Sequence, residues 1–89
     1  DITHVESMKD YVKIFLSGAP KPIITKSTLK AIEEKLPARK FMRVHKSFLV
    51  HLEKIESIRS QAIQIGAHQI PVSDASVDAL MQALGQKKH

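Results

Sequence analysis

The sequence predicts a mainly β fold: short antiparallel strands, with one helix packed after the second or third strand and another at the carboxyl end. Runs of alternating or β-branched residues recur along the chain, and turn residues separate them at hairpin-like spacings. Only two segments carry the i, i+3, i+7 apolar spacing of an amphipathic helix. With 89 residues, the chain is expected to form a single domain over residues 1–89.

The first predicted elements are strands. Ile2 and Val5 predict the end of one strand, and the alternation in "YVKIFL" (residues 11–16) predicts the next, after a break at "SMKD". The segment "SGAPKP" (17–22) is predicted to be a loop, because glycine and proline interrupt the hydrogen-bonded ladder of a sheet. The β-branched residues of "IIT" (23–25) then predict a third, short strand.

The first helix is predicted in "STLKAIEEKL" (residues 27–36). Ser27 or Thr28 can cap its amino end. Pro37 stops it, because the residue before a proline is pushed out of helical geometry. The apolar stripe of this helix consists of Leu29, Ile32 and Leu36.

The second half of the chain is predicted to be mostly β. Alternation in "KFMRVH" (40–45) predicts a strand, whereas "KSFLVHLEKI" (46–55) is compatible with either a helical turn or a strand. Three short β-like runs follow, with turns near "RSQ" (59–61) and "GAH" (66–68). Their inward-facing candidates are Ile55, Ile58, Ile63, Ile65, Ile70 and Val72.

The second helix is predicted in "SDASVDALMQALG" (73–85). Ser73 is its expected cap, and Gly85 is a suitable terminator. Lys87 and Lys88 would then lie beyond its carboxyl end, where a helix tolerates cations. The apolar stripe consists of Val77, Leu80, Met81 and Leu84.

The net positive charge is concentrated in one part of the chain. The sequence has 14 Lys and Arg against 9 Asp and Glu, a net charge of +5. The segment between Glu34 and Glu53 contains no acidic residue, and outside it nine basic residues balance the nine acidic ones. A localised positive field of this kind is typical of a surface that binds a polyanion. The cations of this basic window are Lys35, Arg39, Lys40, Arg43 and Lys46.

Residue types needed for catalysis or metal binding are missing or badly spaced. There is no Cys, which excludes disulfides and thiolate metal sites and is compatible with a reduced, cytoplasmic setting. The His residues form no i, i+4 pair, and His45 with Ser47 lacks a third group for nucleophilic catalysis. Glu33 and Glu34 lie on a solvated helix face rather than in a shared pocket. We therefore expect neither an enzyme nor a bound metal or cofactor.

Among anionic partners, duplex DNA fits this composition best. The apolar runs are too short to span a membrane, and neither predicted helix has the basic face of a membrane-surface element. Single strands are usually bound by aromatic stacking, but aromatic residues are few here and some are better used as core. Duplex DNA can be bound through phosphates, with a few side chains at base edges. Two alternatives stay open: a small β protein-interaction or sensor module with an acidic partner, and a single-strand binder of the OB type.

Three blocks of the sequence carry a resemblance to a known family. They are "HVESMKDYVKIFL" (4–16), "STLKAIEEKLPARKFMRVHKSFLVHLEKIESI" (27–58) and "IPVSDASVDALMQAL" (70–84). The central block is the most specific, because a helix ending in Leu-Pro precedes "FMRVHKSFLV". In order and over nearly the whole chain, these blocks resemble the LytTR domain, the DNA-binding effector module of LytR/AlgR-type bacterial response regulators.

The resemblance implies an elongated fold of short β-sheets with a helix packed on one side. It also implies a cytoplasmic transcription regulator of a two-component phosphorelay, in which loop side chains read successive major grooves of duplex DNA. The family's first strand or two and its receiver domain have no counterpart in the sequence, so we expect residues 1–89 to belong to a longer protein. Direct-repeat promoter sites would then be bound by a homodimer of the intact regulator. Strand exchange through an exposed edge is the other expected mode of self-association.

Three contact regions carry over by position from the resemblance. The first is the loop in "ESMKDYV", where Lys9 and Tyr11 match. The second is "RVHKSF", where the polar position after His falls on Lys46, which can contact guanine O6 and N7 or a phosphate. The third is "SDASVDA", where Asp78 stands in place of a basic residue and Ser73 and Ser76 are candidate donors to phosphate.

Neighbouring residues complete the expected interface. Arg43 is expected to contact a phosphate or to pair with an acid such as Glu56. His45 is expected either to bind phosphate or backbone or to have a packed structural role. Arg39, Lys40 and Ser47 are expected to help electrostatically, and Arg59 is expected either to join them or to be an ordinary surface cation of its strand. The predicted DNA-binding residues are Lys46, Arg43, His45, Ser47, Lys9, Tyr11, Arg39, Lys40 and Ser76.

Overall fold

The computed structural model describes residues 1–86, and the expectation for residues 87 and 88 lies outside this range. The described chain is mainly β with two α-helices, which confirms the predicted fold class. Its principal dimensions are 35 × 25 × 24 Å. The elements are β1 (Ile2–Met8), β2 (Tyr11–Leu16), β3 (Ile23–Lys26), α1 (Leu29–Lys35), β4 (Phe41–His45), β5 (Phe48–His51), a 3₁₀ turn (Leu52–Lys54), β6 (Ser57–Arg59), β7 (Ala62–Ile65), β8 (His68–Pro71) and α2 (Asp74–Gln86).

Five strands form a central antiparallel sheet in the order β3-β2-β1-β5-β4. Successive residues of a strand point to opposite faces of a sheet, and β5 uses both faces. Leu49 packs on the face that α1 covers, whereas its neighbour Val50 packs on the other face. The core under α1 consists of Val5, Val12, Leu29 and Leu49.

The second face of the central sheet is covered by a smaller sheet and by α2. Strands β6, β7 and β8 form this three-stranded antiparallel sheet. Buried residues fix strands β1, β2, β4 and β5, whose ends carry the connecting turns, whereas every residue of β3 is exposed. The core on this side consists of Val44, Val50, Leu52, Ile63, Ile65, Ile70, Val72 and Leu80.

The boundaries of α1 follow from its sequence. Of the two caps that the sequence allows, Thr28 is used, since its side-chain oxygen accepts a 3.1 Å hydrogen bond from the N–H of Ala31. The helix ends at Lys35, and Leu36 has extended backbone geometry, as expected for the residue before Pro37.

The ambiguous segment 46–55 resolves into a turn, strand β5 and a 3₁₀ turn. Its strand pairs with β1 on one side and with β4 on the other. The bonds to β1 connect positions that are far apart in the sequence, and a local residue pattern carries no information about them. Pairing with strands elsewhere in the fold therefore determines that this segment forms a strand and not a helical turn, which the local spacing of apolar residues does not determine.

Two predictions for α2 need correction. Gly85 does not terminate the helix, which continues to Gln86. Met81, predicted to lie in the apolar stripe, is 53% exposed, whereas Leu80 is buried. A helix that packs on one side has a limited contact face, so a residue displaced from the centre of that face turns toward solvent.

Candidate nucleic-acid interface

Two hairpin turns lie at the same end of the central sheet. Residues 9–10 connect β1 to β2, and residues 46–47 connect β4 to β5. Because β1 and β5 are antiparallel neighbours, with Glu6 opposite Phe48, the end of β1 lies beside the start of β5. Strand pairing thus brings together the first and second predicted contact regions.

Backbone hydrogen bonds connect these turns to each other and to the end of β3. The N–H of Ser7 donates a 2.8 Å bond to the carbonyl oxygen of Ser47. On the other side, the N–H of Ser27 donates a 3.2 Å bond to the carbonyl oxygen of Asp10. Lys26, the last residue of β3, therefore lies beside the β1–β2 turn.

The start of α2 and the β6–β7 turn extend the same end of the molecule. The N–H of Ser73 donates a 2.8 Å bond to the carbonyl oxygen of Val44 in β4. The N–H of Val72 donates a 2.9 Å bond to the carbonyl oxygen of Gln61. In return, Nε2 of Gln61 donates to the carbonyl oxygen of Val72 at 3.1 Å and to Oδ1 of Asp74 at 2.7 Å. We call the combined surface the turn edge; it comprises residues 9–10, 26–27, 46–47, 59–61 and 73–76.

Lys46 projects from the turn edge, and Arg43 supports its turn. Lys46 is exposed and forms no ion pair within residues 1–86. Nη2 of Arg43 donates a 2.8 Å hydrogen bond to the carbonyl oxygen of Lys46, and Nη1 lies 3.9 Å from Oε1 of Glu33 in α1. The expected ion pair of Arg43 with an acid therefore occurs, but the acid is Glu33 and not Glu56, whose carboxylate accepts a 3.1 Å bond from the N–H of Gly66.

His45 and Ser47 shape the same turn. The N–H of Ser47 donates a 3.1 Å hydrogen bond to Nδ1 of His45, so the proton of the neutral ring lies on Nε2. The His45 ring also meets Phe48 edge-on, with a centroid separation of 5.7 Å. The backbone hydrogen bond and the packing role, posed as alternatives for His45, therefore occur together, and Nε2 carries the N–H donor.

Lys9 and Tyr11 flank Asp10 at the β1–β2 turn. Lys9 has a φ of 51°, a left-handed conformation that is unfavourable for a residue with a side chain. Tyr11 is 47% exposed although it lies in a strand. Both side chains are accessible at the turn edge, with a carboxylate between them in the sequence.

Ser76 belongs to the first turn of α2 and is engaged locally. Its Oγ lies 2.9 Å from Oγ of Ser73, and its N–H donates a 2.9 Å bond to the carbonyl oxygen of Ser73. Asp74, at the start of the helix, accepts from Gln61, whereas Asp78 is exposed further along the helix. The third predicted contact region is therefore the least cationic part of the turn edge.

Arg39 and Lys40 lie at the opposite end of β4 from Lys46. Lys40 immediately precedes this strand, and its carbonyl oxygen accepts a 2.8 Å bond from the N–H of Leu52. A strand rises about 3.3 Å per residue, which separates the two ends of Phe41–His45 by roughly 13 Å. The basic window, contiguous in the sequence, is therefore divided between the two ends of one strand.

Sequence reasoning missed Lys26 as a part of this surface, and at the β6–β7 turn it considered only the charge of Arg59. Lys26 is exposed at the end of the edge strand β3. Alternation locates strands but does not give their order, and only the order β3-β2-β1-β5-β4 brings Lys26 beside the β1–β2 turn. The signal in the sequence that could have indicated this role for Lys26 was its position as a cation between a short strand and a helix cap.

Metal-ligand clusters and membrane-spanning helices do not accompany the turn edge in the described chain. Residues 1–86 contain no group of three or more His, Cys, Asp or Glu side chains that could hold a metal ion. Neither helix in that range is long and apolar enough to cross a membrane.

His4 is buried and stacks on Phe15, with ring centroids 4.2 Å apart. Burial, with a further contribution from His68, lowers the pKa of His4 to about 4, so its ring is a neutral part of the core.

Comparisons with known proteins agree on one family. The profile described as the LytTr DNA-binding domain matches residues 1–85. The sensory transduction protein LytT of Enterococcus faecalis is 36% identical over 64 residues, which cover 65% of this chain and 26% of that protein. This chain therefore spans about a quarter of the length of that relative. A solved LytTr DNA-binding domain from Bacillus cereus shares the fold, with a TM-score of 0.78 and 21% identity over 94% of this chain and 81% of that chain.

Proposed function

This chain belongs to the LytTR DNA-binding domain family, and we propose that its turn edge reads duplex DNA in a sequence-specific manner, as the output domain of a two-component transcriptional regulator. Family membership identifies a DNA-binding domain. The contact residues, the base preference and the regulatory role are the parts that we propose.

The observation that carries the proposal is the convergence of exposed cations from separate elements at the turn edge. Lys9, Lys26 and Lys46 come from three different connections and form no ion pairs within residues 1–86. Neighbouring strands lie about 4.8 Å apart, which puts the two hairpin turns roughly 10 Å from each other. The major groove of B-DNA is about 12 Å wide. One turn can therefore enter the groove while the cation of the other reaches a phosphate at its margin.

Lys46 is the proposed base-reading residue, and its neighbours position it. Arg43 donates to its carbonyl oxygen and Ser47 accepts from Ser7, so the turn is ordered before DNA arrives. The ammonium group has three donors, which can reach O6 and N7 of guanine. The proposed phosphate donors are Arg43, His45, Ser47, Lys9, Tyr11, Lys26 and Ser76.

Arg39 and Lys40 act only at long range in this proposal. They lie at the far end of β4, roughly 13 Å or more from the turn edge. At physiological ionic strength electrostatic interactions between exposed charges are screened over about 8 Å. These two cations therefore assist the approach of any duplex and do not discriminate between sequences.

We further propose that residues 1–89 form one DNA-binding domain of a longer cytoplasmic regulator, which binds direct repeats as a homodimer. A dimer would hold two turn edges on one duplex, so the affinity of a single domain would be multiplied by the second contact. Strand β3 is an edge strand in which Ile23 and Ile24 are 50% and 59% exposed, and it supports self-association through strand pairing. No enzymatic activity, cofactor or membrane partner is part of the proposal.

Selection and titration with DNA test this function. Duplexes retained from a randomised pool are sequenced to obtain a preferred site, and fluorescence anisotropy then measures its affinity at two salt concentrations. Neutralisation of roughly 4–6 phosphates predicts a log–log salt slope of about −4 to −5. No enrichment in the selection, or equal affinity for a single strand, would overturn sequence-specific duplex recognition and favour an acidic protein partner or a single-strand binder.

A further inference from the structure

We propose that the β6–β7 turn, residues 59–61, is a further DNA-contacting element that binds backbone phosphates through Arg59 and Ser60. This turn lies outside the three contact regions that the family resemblance implies. The inference rests on the proposed duplex-binding function and extends its footprint at one end.

Residues with positive φ are distributed unequally between the two ends of the molecule. The turn edge carries Lys9, Ser60 and Gln61, with φ of 51°, 49° and 62°. At the opposite end, the segments after β2 and β7 use Gly18 and Gly66, with φ of 77° and 57°. This conformation strains residues with a side chain but not glycine. Three residues with side chains at the turn edge therefore adopt this conformation at an energetic cost, which is typical of functional sites.

The Gln61 side chain has a structural role that offsets this cost. Its Nε2 donates to the carbonyl oxygen of Val72 and to Oδ1 of Asp74, which connects the turn to the start of α2. Ser73 in turn donates its N–H to Val44 of β4. These bonds fix the β6–β7 turn relative to the neighbouring β4–β5 turn.

Ser60 and Arg59 have no comparable structural role. Both residues are exposed, and neither side chain forms a hydrogen bond or an ion pair within residues 1–86. A hydroxyl and a guanidinium are groups that bind phosphate oxygens in protein–DNA complexes. A backbone phosphate is therefore a ligand that both side chains can share.

The place of this turn favours phosphates over bases. Lys26 ends the edge strand β3, whereas the turn after Arg59 is bonded through Gln61, Val72 and Ser73 to β4, the strand at the other edge of the central sheet. The outer strands of a five-stranded sheet are roughly 19 Å apart. The β4 end, to which the β6–β7 turn is bonded, is thus farther from Lys26 than a major groove is wide, about 12 Å, so we place Lys26 and Arg59 at the sugar–phosphate backbones that border the groove.

The substitution Ser60→Gly separates a contact role from a structural one. Glycine adopts a φ of 49° without strain, so the melting temperature should stay the same or rise. Loss of the hydroxyl should at the same time weaken binding to the selected duplex about twofold to fivefold. A residue with only a structural role would change stability and affinity in the same direction. Unchanged affinity in this variant would remove Ser60 from the interface.

The substitution Arg59→Ala tests the charge, with Lys21→Ala as the matched control. Both residues are exposed cations, but Lys21 lies in the loop before β3, at the opposite end of the molecule. Loss of one phosphate contact should weaken duplex binding about fivefold in 0.15 M salt and reduce the magnitude of the salt slope by about 0.9. Lys21→Ala should leave the slope unchanged. Equal effects of the two substitutions would show that Arg59 acts only through the net charge of the protein, which would overturn the proposed phosphate contact.

The same titrations distinguish failure of this inference from failure of the proposed function. If the wild-type domain bound no duplex, the proposed function and the β6–β7 contact would fail together. If the wild-type domain bound duplex through Lys46, while Arg59→Ala and Ser60→Gly both matched it, only the β6–β7 contact would be overturned.

Discussion

A hydrogen bond of 2.8 Å joins Nη2 of Arg43 to the carbonyl oxygen of Lys46. The guanidinium thereby fixes the backbone from which the Lys46 side chain projects. Its other nitrogen, Nη1, lies 3.9 Å from the carboxylate of Glu33, and the Arg43 side chain remains 38% exposed. Arg43 is thus a support for the turn and a surface cation at once, so changes to its partners should alter DNA binding.

Lys46→Ala is expected to weaken binding to the preferred duplex by about 1–3 kcal/mol and to relax the base preference. The side chain is exposed, so the fold should not change. Anisotropy titrations with the preferred duplex and with single-base variants measure both effects. Lys30→Ala, an exposed lysine on α1, is the control. If Lys46→Ala kept both the affinity and the base preference, Lys46 would not be the reading residue.

Removing the carboxylate beside Arg43 is expected to strengthen binding. An exposed ion pair contributes about 0–1 kcal/mol, so Glu33→Gln should tighten binding by up to about fivefold at low salt as Arg43 is released toward phosphate. Glu34→Gln removes the same charge from the next position, where no ion pair with Arg43 occurs, and should have a smaller effect. Equal gains in the two variants would indicate a general charge effect rather than release of Arg43.

The strained turn at Lys9 predicts opposite effects on stability and on binding. Lys9→Gly relieves a φ of 51° and should preserve or raise the free energy of unfolding while weakening duplex binding. Gly18→Ala, at the opposite end, is the control, because it introduces strain instead of relieving it. The added Cβ meets no atom within 4 Å, but a φ of 77° is unfavourable for alanine. This control should destabilise the fold by roughly 1–2 kcal/mol without changing affinity. Thermal unfolding and anisotropy test both variants. A loss of affinity in Gly18→Ala would refute the proposal that DNA binds the turn edge and not the opposite end.

The buried His4 predicts a loss of stability in acid. The folded protein holds the pKa of His4 at about 4, below its ordinary value of 6.5, so the unfolded chain takes up a proton first as the pH falls. The contribution of His4 is therefore complete above pH 6.5 and decreases as the pH falls toward 4, by up to about 3 kcal/mol. Urea unfolding of the wild type and of His4→Phe at several pH values measures this difference. Parallel stability curves for the two proteins would contradict it.

Arg39→Ala is expected to weaken binding of all duplexes alike, and by less than Lys46→Ala does. Its charge lies at the other end of β4, so the effect should fade as salt shortens the screening length. Anisotropy with preferred and unrelated duplexes over a salt series checks this. A sequence-dependent loss as large as that of Lys46→Ala would put Arg39 in direct contact with bases.

Local patterns predicted most of the fold, because its elements have strong boundary signals. Alternation located β2 and β4, and Pro37 marked the end of α1. The segment at Phe48 could not be assigned locally, since its strand state depends on pairing with β1 and β4. The exposure of Met81 likewise depends on which face of α2 the smaller sheet covers.

The candidate site could be predicted from the sequence only where it is local. The break between two predicted strands located the turn at Lys9, and the end of the alternation at His45 located Lys46, although the strand after Lys46 stayed ambiguous. That Lys26 joins these turns, while Arg39 lies away from them, depends on the strand order and on the length of β4. The pairing of Arg43 with Glu33 also needs the tertiary structure, because it requires α1 to cover the face of the sheet to which Arg43 points.

Backbone amide chemical shifts recorded by NMR during titration with the preferred duplex are the most direct test that the turn edge is the DNA-binding surface. We predict that the largest changes occur at residues 9–10, 26–27, 45–47, 59–61 and 73–76. Residues 18–21, 38–40 and 66–68, at the opposite end, should change little. Changes concentrated at that opposite end, or spread evenly over both ends, would contradict the assignment.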